Sequence, residues 1–400
     1  MATRPTRRDE FEIAVVCALS LEYDAAALAF DGFWDDDGDT YGRAAGDTNT
    51  YCTGRIGQYN VVLALLPNMG KVSAASTAAS LRSSFTGLKL AIVTGICGGV
   101  PSPGTGDEII LGDVIISRTV IQYDYGRQYP DRFIRRDTAE DNLGRPNRDI
   151  RSLLSTFDTD RGRDGLQRGA AQAINQIREN AAKRRRRGRY VRPSAAEDRL
   201  FKPDYQHEHR NQSDCGCFEQ VCEAARAASC AELGCDTAEL VPRERLQEAH
   251  EGGPGDGHAE NEFEIYVGCI GSGDTVMKSG EDRDRIAREH DLIAFEMEGA
   301  GVWDEVPCIV VKGVCDYADS HKNKKWQTYA AATAASVMKA LLARYTQTDK
   351  PSAGGHTNTG AGLGAGSRSW GPVFNGPITG RNVVAGHHTS GGTTNITFGS

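Results

Sequence analysis

No apolar run in this 400-residue chain approaches the ~20 residues that a membrane-spanning helix requires. Basic charge is short as well. The formal net charge is −8 and the pI is near 5.7, whereas a general nucleic-acid binder needs a basic surface to displace counterions. Met1 to Glu10 is polar and has no apolar centre, which predicts no secretory signal. The glycine-rich run at Gly95 is not followed by Gly-Lys-Ser or Gly-Lys-Thr, so it is no Walker loop. Eleven cysteines in a chain without a signal read as reduced thiols. The expected setting is the cytoplasm, away from membranes and nucleic acid.

What is present is an alternation of short apolar runs and helical patterns. Phe11 to Ala18, Asn60 to Leu66 and Leu88 to Val93 read as buried strands, the last ending in a glycine-rich turn at Gly95, Gly98 and Gly99. Leu19 to Leu28 and Lys71 to Leu81 read as helices, and Val114 to Ser117 continues the sheet after Gly112-Asp113. The pattern stops near Arg135 and resumes near Glu264 with Ile265 to Ile270, Leu292 to Phe295 and Ile309 to Val314, then an alanine-rich helix from about Trp326 to Tyr345. Strand–helix alternation predicts an α/β sheet flanked by helices. The stretch from about 135 to 262 reads as a polar, partly ordered insertion.

Phe295-Glu296-Met297-Glu298-Gly299-Ala300, followed by a strand that ends Lys312-Gly313-Val314-Cys315-Asp316, carries the most chemistry. A strand that delivers a Glu beside a Met, then a second strand that ends on an Asp, resembles the arrangement of nucleoside-cleaving enzymes, in which a purine must leave a sugar cation with a proton on a ring nitrogen. A desolvated Asp316 suits that role; the competing reading is a strand-end Asp that caps the next segment. Glu298 suits the ribose diol, and its alternative is a solvated Glu at a helix start. Met297 packs against the sugar or base, or simply in the core. Glu22 follows the first strand, where α/β sheets build sites. There it is either a general base for water or an ordinary first-turn Glu.

These segments resemble the purine nucleoside phosphorylase / methylthioadenosine nucleosidase superfamily. The resemblance covers roughly residues 10 to 134 and 263 to 346, in blocks that keep family order: Ile13 to Glu22, Asn68-Met69-Gly70-Lys71-Val72, Thr94 to Gly99 with Gly112-Asp113-Val114, Ser272-Gly273-Asp274, and the Glu-Met-Glu and Asp316 segments. It implies a nucleoside phosphorylase-like mixed sheet and a purine nucleoside or nucleotide substrate. It implies Glu22 and Asp316 as catalytic groups, and Met297, Glu298, Gly98, Val276, Met277 and Lys312 around the substrate. It also implies a homo-oligomer, and neither cofactor nor metal in the reaction. Phosphorylases of this superfamily hold phosphate with a Gly-Asp-Pro turn, an Arg and a Ser. This chain has Cys17-Ala18-Leu19-Ser20 and Ile96-Cys97 instead, and Lys312 stands where nucleosidases usually place Arg. Hydrolysis is therefore expected, with phosphorolysis and non-catalytic nucleoside binding as rivals. Lys322, Lys324 and Lys325 are candidates for a substrate phosphate, or a solvated loop.

Three further features stand apart. His207, His209, Cys215, Cys217, Cys222, Cys230 and Cys235 crowd the insertion, yet their spacing fits no standard zinc finger, and buried free thiols are the plain alternative to a structural metal. Lys183 to Arg187 is a nuclear signal or an exposed basic loop. After residue 347 the composition turns to Gly, Ser, Thr and Asn: a linker to about 369, then β-prone pieces between Gly and Asn over 370–400. That end resembles the short prion-like signalling motifs of filamentous fungi, which implies a nucleotide-binding receptor with a matching motif as partner.

Overall fold

A computed structural model describes residues 3–346 apart from 39, 105, 187, 211–214, 216, 218–220 and 252–262. The first half forms strands β1 (Ile13–Cys17), β2 (Gly32–Phe33), β3 (Tyr51–Ile56), β4 (Tyr59–Leu65), β5 (Leu90–Gly99), β6 (Val114–Gln122), β7 (Gly126–Gln128) and β8 (Phe133–Arg135), with helices α1 (Ser20–Ala29) and α2 (Lys71–Ser84). Helices α3 (Arg148–Thr156), α4 (Asp160–Lys183), α5 (Glu223–Ala227), α6 (Cys230–Leu233) and α7 (Glu244–Glu251) follow. The chain then returns to the sheet with β9 (Ile265–Ser272), β10 (Leu292–Glu296) and β11 (Cys308–Asp316), between which lie α8 (Gly280–His290) and α9 (Gly299–Trp303), and it closes with α10 (Gln327–Leu342).

The sheet is mixed, with strand order β10-β9-β6-β11-β5-β1-β4-β3-β2. β10 also pairs with β5, so β5, β11, β6, β9 and β10 close on themselves. β1 is buried at every position, as a strand covered on both faces must be. β5 runs parallel to both β1 and β11, which brings the C-terminal ends of these three strands together. Ligand crevices of α/β sheets form at such ends. Helix α10 is buried along nearly its whole length and packs against β11, β5, α1 and α4. Its backbone lies so close to β11 that a Cβ on Gly313 would come within 2.0 Å of the Ala330 carbonyl oxygen. Among the described residues, no helix is long and apolar enough to cross a membrane.

Two expectations need correction. Gly95, Gly98 and Gly99 do not form a turn: β5 continues through all three. The stretch after residue 135 is also not uniformly a polar insertion. Helix α4 packs on α10 and α1 through Gly165, Leu166, Ala170, Ala173, Ile174, Ile177 and Ala181. This buried stripe keeps helical spacing but is made largely of Gly and Ala, so its mean hydropathy conceals it. The basic run lies at the end of α4, where Arg186 pairs with Asp24 at 2.9 Å. The 370–400 segment lies outside the described residues.

Candidate active site

The ends of β1, β5, β10 and β11 open into a cavity lined by Ala18, Glu22, Met69, Gly98, Val276, Met277, Met297, Glu298, Asp316 and Lys322. Of the candidates read from the sequence, Lys324 and Lys325 are not on the wall, and neither is Lys312. It lies behind Glu298 and is 1% exposed.

Glu22 is placed by the first turn of α1. Its Oε2 accepts the N–H groups of Ala18 and Leu19 at 2.9 and 2.8 Å, the free amides of the helix start, and its Oε1 accepts the N–H of Ile96 at 2.8 Å. The carboxylate thus lies across β5, and Gly95 makes room for it: a Cβ there would come within 2.1 Å of Oε1. Oε1 has one bond and retains a second acceptor position for water. Burial raises the Glu22 pKa, and the nearby Glu298 charge adds to this, while Lys312 and the amide bonds oppose it.

Glu298 is the N-cap of α9. Its Oε2 binds Lys312 Nζ at 2.8 Å, and its Oε1 is approached by the Gly70 N–H at 3.4 Å, long enough to leave this oxygen available to a hydroxyl. Glu296 was missed as a site residue, although it fixes this corner. Its carboxylate accepts the N–H groups of Glu298 and Gly299 at 2.9–3.0 Å and lies 3.5 Å from Lys312 Nζ. A Glu just before a small-residue helix start is the available sequence signal, since it can satisfy the first amides of that helix. Burial opposes the charge of Lys312, but Glu298, Glu296 and Glu22 outweigh it and raise its pKa well above the usual value.

Asp316 ends β11 opposite Gly98 of β5. Its Oδ1 accepts the Ala318 N–H at 2.9 Å and meets Lys322 Nζ at 3.1 Å, while the Cys315 thiol points at Oδ2 from 3.3 Å. A side chain on Gly98 would crowd it, with a Cβ 3.0 Å from Oδ1. Lys325 instead bonds Glu197 at 2.8 Å. Across the cavity, Val276 and Met277 follow a turn held by Asp274, whose Oδ1 accepts the Lys71 N–H at 2.8 Å. Tyr123 donates to the Thr275 carbonyl at 2.8 Å. Val276 is 47% exposed. The arrangement presents one carboxylate with room for water, a second held by an ammonium, and a third at a strand end across a partly apolar gap.

The pattern of the family described as Phosphorylase superfamily matches residues 12–191, which include Glu22 and Gly98 but end before Glu298 and Asp316. A nucleotide-binding leucine-rich repeat (NLR)-like protein of Hyaloscypha variabilis is 31% identical over 340 residues, covering 84% of this chain and 29% of its own length. The chain therefore spans less than a third of that relative. Among solved structures, futalosine hydrolase of Helicobacter pylori aligns with a TM-score of 0.47 at 15% identity, covering 84% of this chain and 98% of that one. The S-adenosylhomocysteine nucleosidase of Streptococcus pyogenes aligns with a TM-score of 0.47 at 17% identity, covering 83% and 96%. The part of the chain from residue 12 to residue 191 thus matches the phosphorylase superfamily.

Proposed function

We propose that the protein hydrolyses the N-glycosidic bond of a purine nucleoside or nucleotide. The observation that carries this reading is the convergence of Glu22, Glu298 and Asp316 on one cavity. Glu298 accepts hydrogen bonds from the ribose diol through Oε1. Met297 lies beneath the sugar, and Val276 and Met277 border the base. Asp316, in its acid form, donates its proton to a ring nitrogen of the purine as the bond from C1′ to the base breaks. Glu22 takes a proton from water, whose oxygen bonds to C1′; the products are free base and the sugar with a new hydroxyl. Solvent returns the proton balance of the two carboxyls.

Hydrolysis is preferred to phosphorolysis because Lys312, the buried cation behind the site, is already engaged with Glu298, and Ile96-Cys97 stands where phosphorylases place a phosphate-binding Ser. The reading extends to a signalling role as effector in a fungal defence or incompatibility response. Its supports are the NLR-like relative and the motif resemblance of residues 370–400. On this reading the partner is a nucleotide-binding receptor carrying a matching motif, and the chain works as a homo-oligomer in the cytoplasm.

The test is base release by Asp316→Asn, followed by chromatography. Asn keeps a hydrogen bond but delivers no proton, so release should fall ~10²–10⁴-fold in a folded protein. Near-normal release would refute the assignment.

A further inference from the structure

The insertion and the segment after Asp316 meet in a cluster that the proposed reaction does not use. His207, Cys230, Cys235 and His321 place one ligand atom each within 4.8 Å of all the others. The two Nδ1 atoms are 3.2 Å apart. Cys230 Sγ is 3.7 Å from each of them, and Cys235 Sγ lies 3.5 and 3.9 Å away. Zinc–sulfur bonds of about 2.3 Å and zinc–nitrogen bonds of about 2.0–2.1 Å set at tetrahedral angles give edges of about 3.4 Å between nitrogens and about 3.6 Å between nitrogen and sulfur. The observed separations fall around these values.

The ring orientations are the second observation. Nε2 of His207 is 2.9 Å from the Ala228 carbonyl and Nε2 of His321 is 2.9 Å from the Tyr205 carbonyl. A carbonyl only accepts, so each Nε2 carries its proton and each Nδ1 presents a bare lone pair to the other. Metal-bound histidines are oriented by the same outer bond. His321 is also clamped by stacking on Phe201, with ring centroids 4.0 Å apart. Cys230 opens the short helix α6 and Cys235 follows its C-cap Gly234, which takes the left-handed conformation (φ 72°); the Cys235 N–H returns to the Cys230 carbonyl at 2.9 Å. This tight turn aims both thiols at the histidine pair.

We propose that His207, Cys230, Cys235 and His321 bind a structural zinc ion. Two thiolates and two neutral imidazoles give a neutral tetrahedral centre, the donor set that favours zinc. The ion joins the insertion to the strand-end segment of the sheet: His321 adjoins Lys322, whose ammonium is 3.1 Å from Asp316. Spacing alone hid the site because its fourth ligand follows β11, far along the chain from the other three.

The test is metal content of the full chain purified without chelator, measured by mass spectrometry, for wild type and the Cys230→Ser/Cys235→Ser double variant. The variant is expected to hold about one zinc fewer per chain. Taking this difference separates the site from the nearby His209, Cys217 and Cys222, a further group of three donors. Cobalt exchanged into wild type should give tetrahedral d–d bands and thiolate-to-cobalt absorption. His321→Cys should keep the stoichiometry and strengthen that absorption. A wild-type protein that holds no zinc and takes up no cobalt would overturn the proposal, as would a folded double variant with unchanged metal content.

Discussion

Lys312 is the residue on which the electrostatics of the cavity turn. It is 1% exposed, with Glu298 at 2.8 Å and Glu296 at 3.5 Å, and the charge of Glu22 also raises its pKa. Buried carboxylates this close would otherwise repel and take up protons. The ammonium fixes the Glu298 carboxylate through Oε2 at 2.8 Å, which leaves Oε1 to accept from neighbouring hydroxyls. Glu22 is less well compensated, and burial raises its pKa. A base must be deprotonated to take a proton from water, so activity should rise with pH as Glu22 ionises. The acid limb of the kcat profile should therefore lie above the ~4.3 of an unperturbed Glu. A limb at or below that value would remove Glu22 from the role.

At the scale of elements, β5 does most of the positioning. It supplies the Ile96 amide to Glu22, the bare face of Gly95 beneath that carboxylate, and the bare face of Gly98 beside Asp316. Gly95→Ala should displace the Glu22 carboxylate, because an added Cβ meets its oxygen at 2.1 Å. The displaced atoms belong to a side chain rather than backbone, so the fold should survive while base release falls as far as in Glu22→Gln. Parallel activity and thermal-unfolding measurements check both halves. Equal activity of Gly95→Ala and wild type would contradict the placement. Much of this was legible in the sequence, since β-branched runs mark β1, β4 and β11, and the Glu-Met-Glu run leads from β10 into α9. β5 was read only as far as Val93, and other elements were not read at all. β5 carries glycines where carboxylates press on it, and these imitate a turn. β3 (Tyr-Cys-Thr-Gly-Arg-Ile) has too few apolar residues to stand out, because its burial depends on pairing with β4. The stripe of α4 is hidden in Gly and Ala, and only the neighbouring α10 shows what it covers.

For the whole molecule, the proposal couples a catalytic α/β unit to a C-terminal segment with a separate task. A peptide spanning Trp370 to Phe398 should form cross-β fibrils. Val373, Phe374, Ile378, Val383, Val384, Ile396 and Phe398 are spaced between Gly and Asn residues, and the span has little charge to oppose stacking in register. Ile378→Lys should block assembly while leaving nucleoside cleavage unchanged. A wild-type peptide that stays monomeric even when seeded would leave the effector role without its C-terminal support. The central claim, however, is the chemistry at Glu22, Glu298 and Asp316. Its most direct measurement is incubation of the full chain with a panel of purine nucleosides and nucleotides in ¹⁸O-labelled water, with and without millimolar phosphate, followed by mass analysis of base and sugar. The expected result is free purine and a sugar carrying one label from water, at a rate indifferent to phosphate. Ribose 1-phosphate as the main sugar product, or no base release from any member of the panel, would contradict the account.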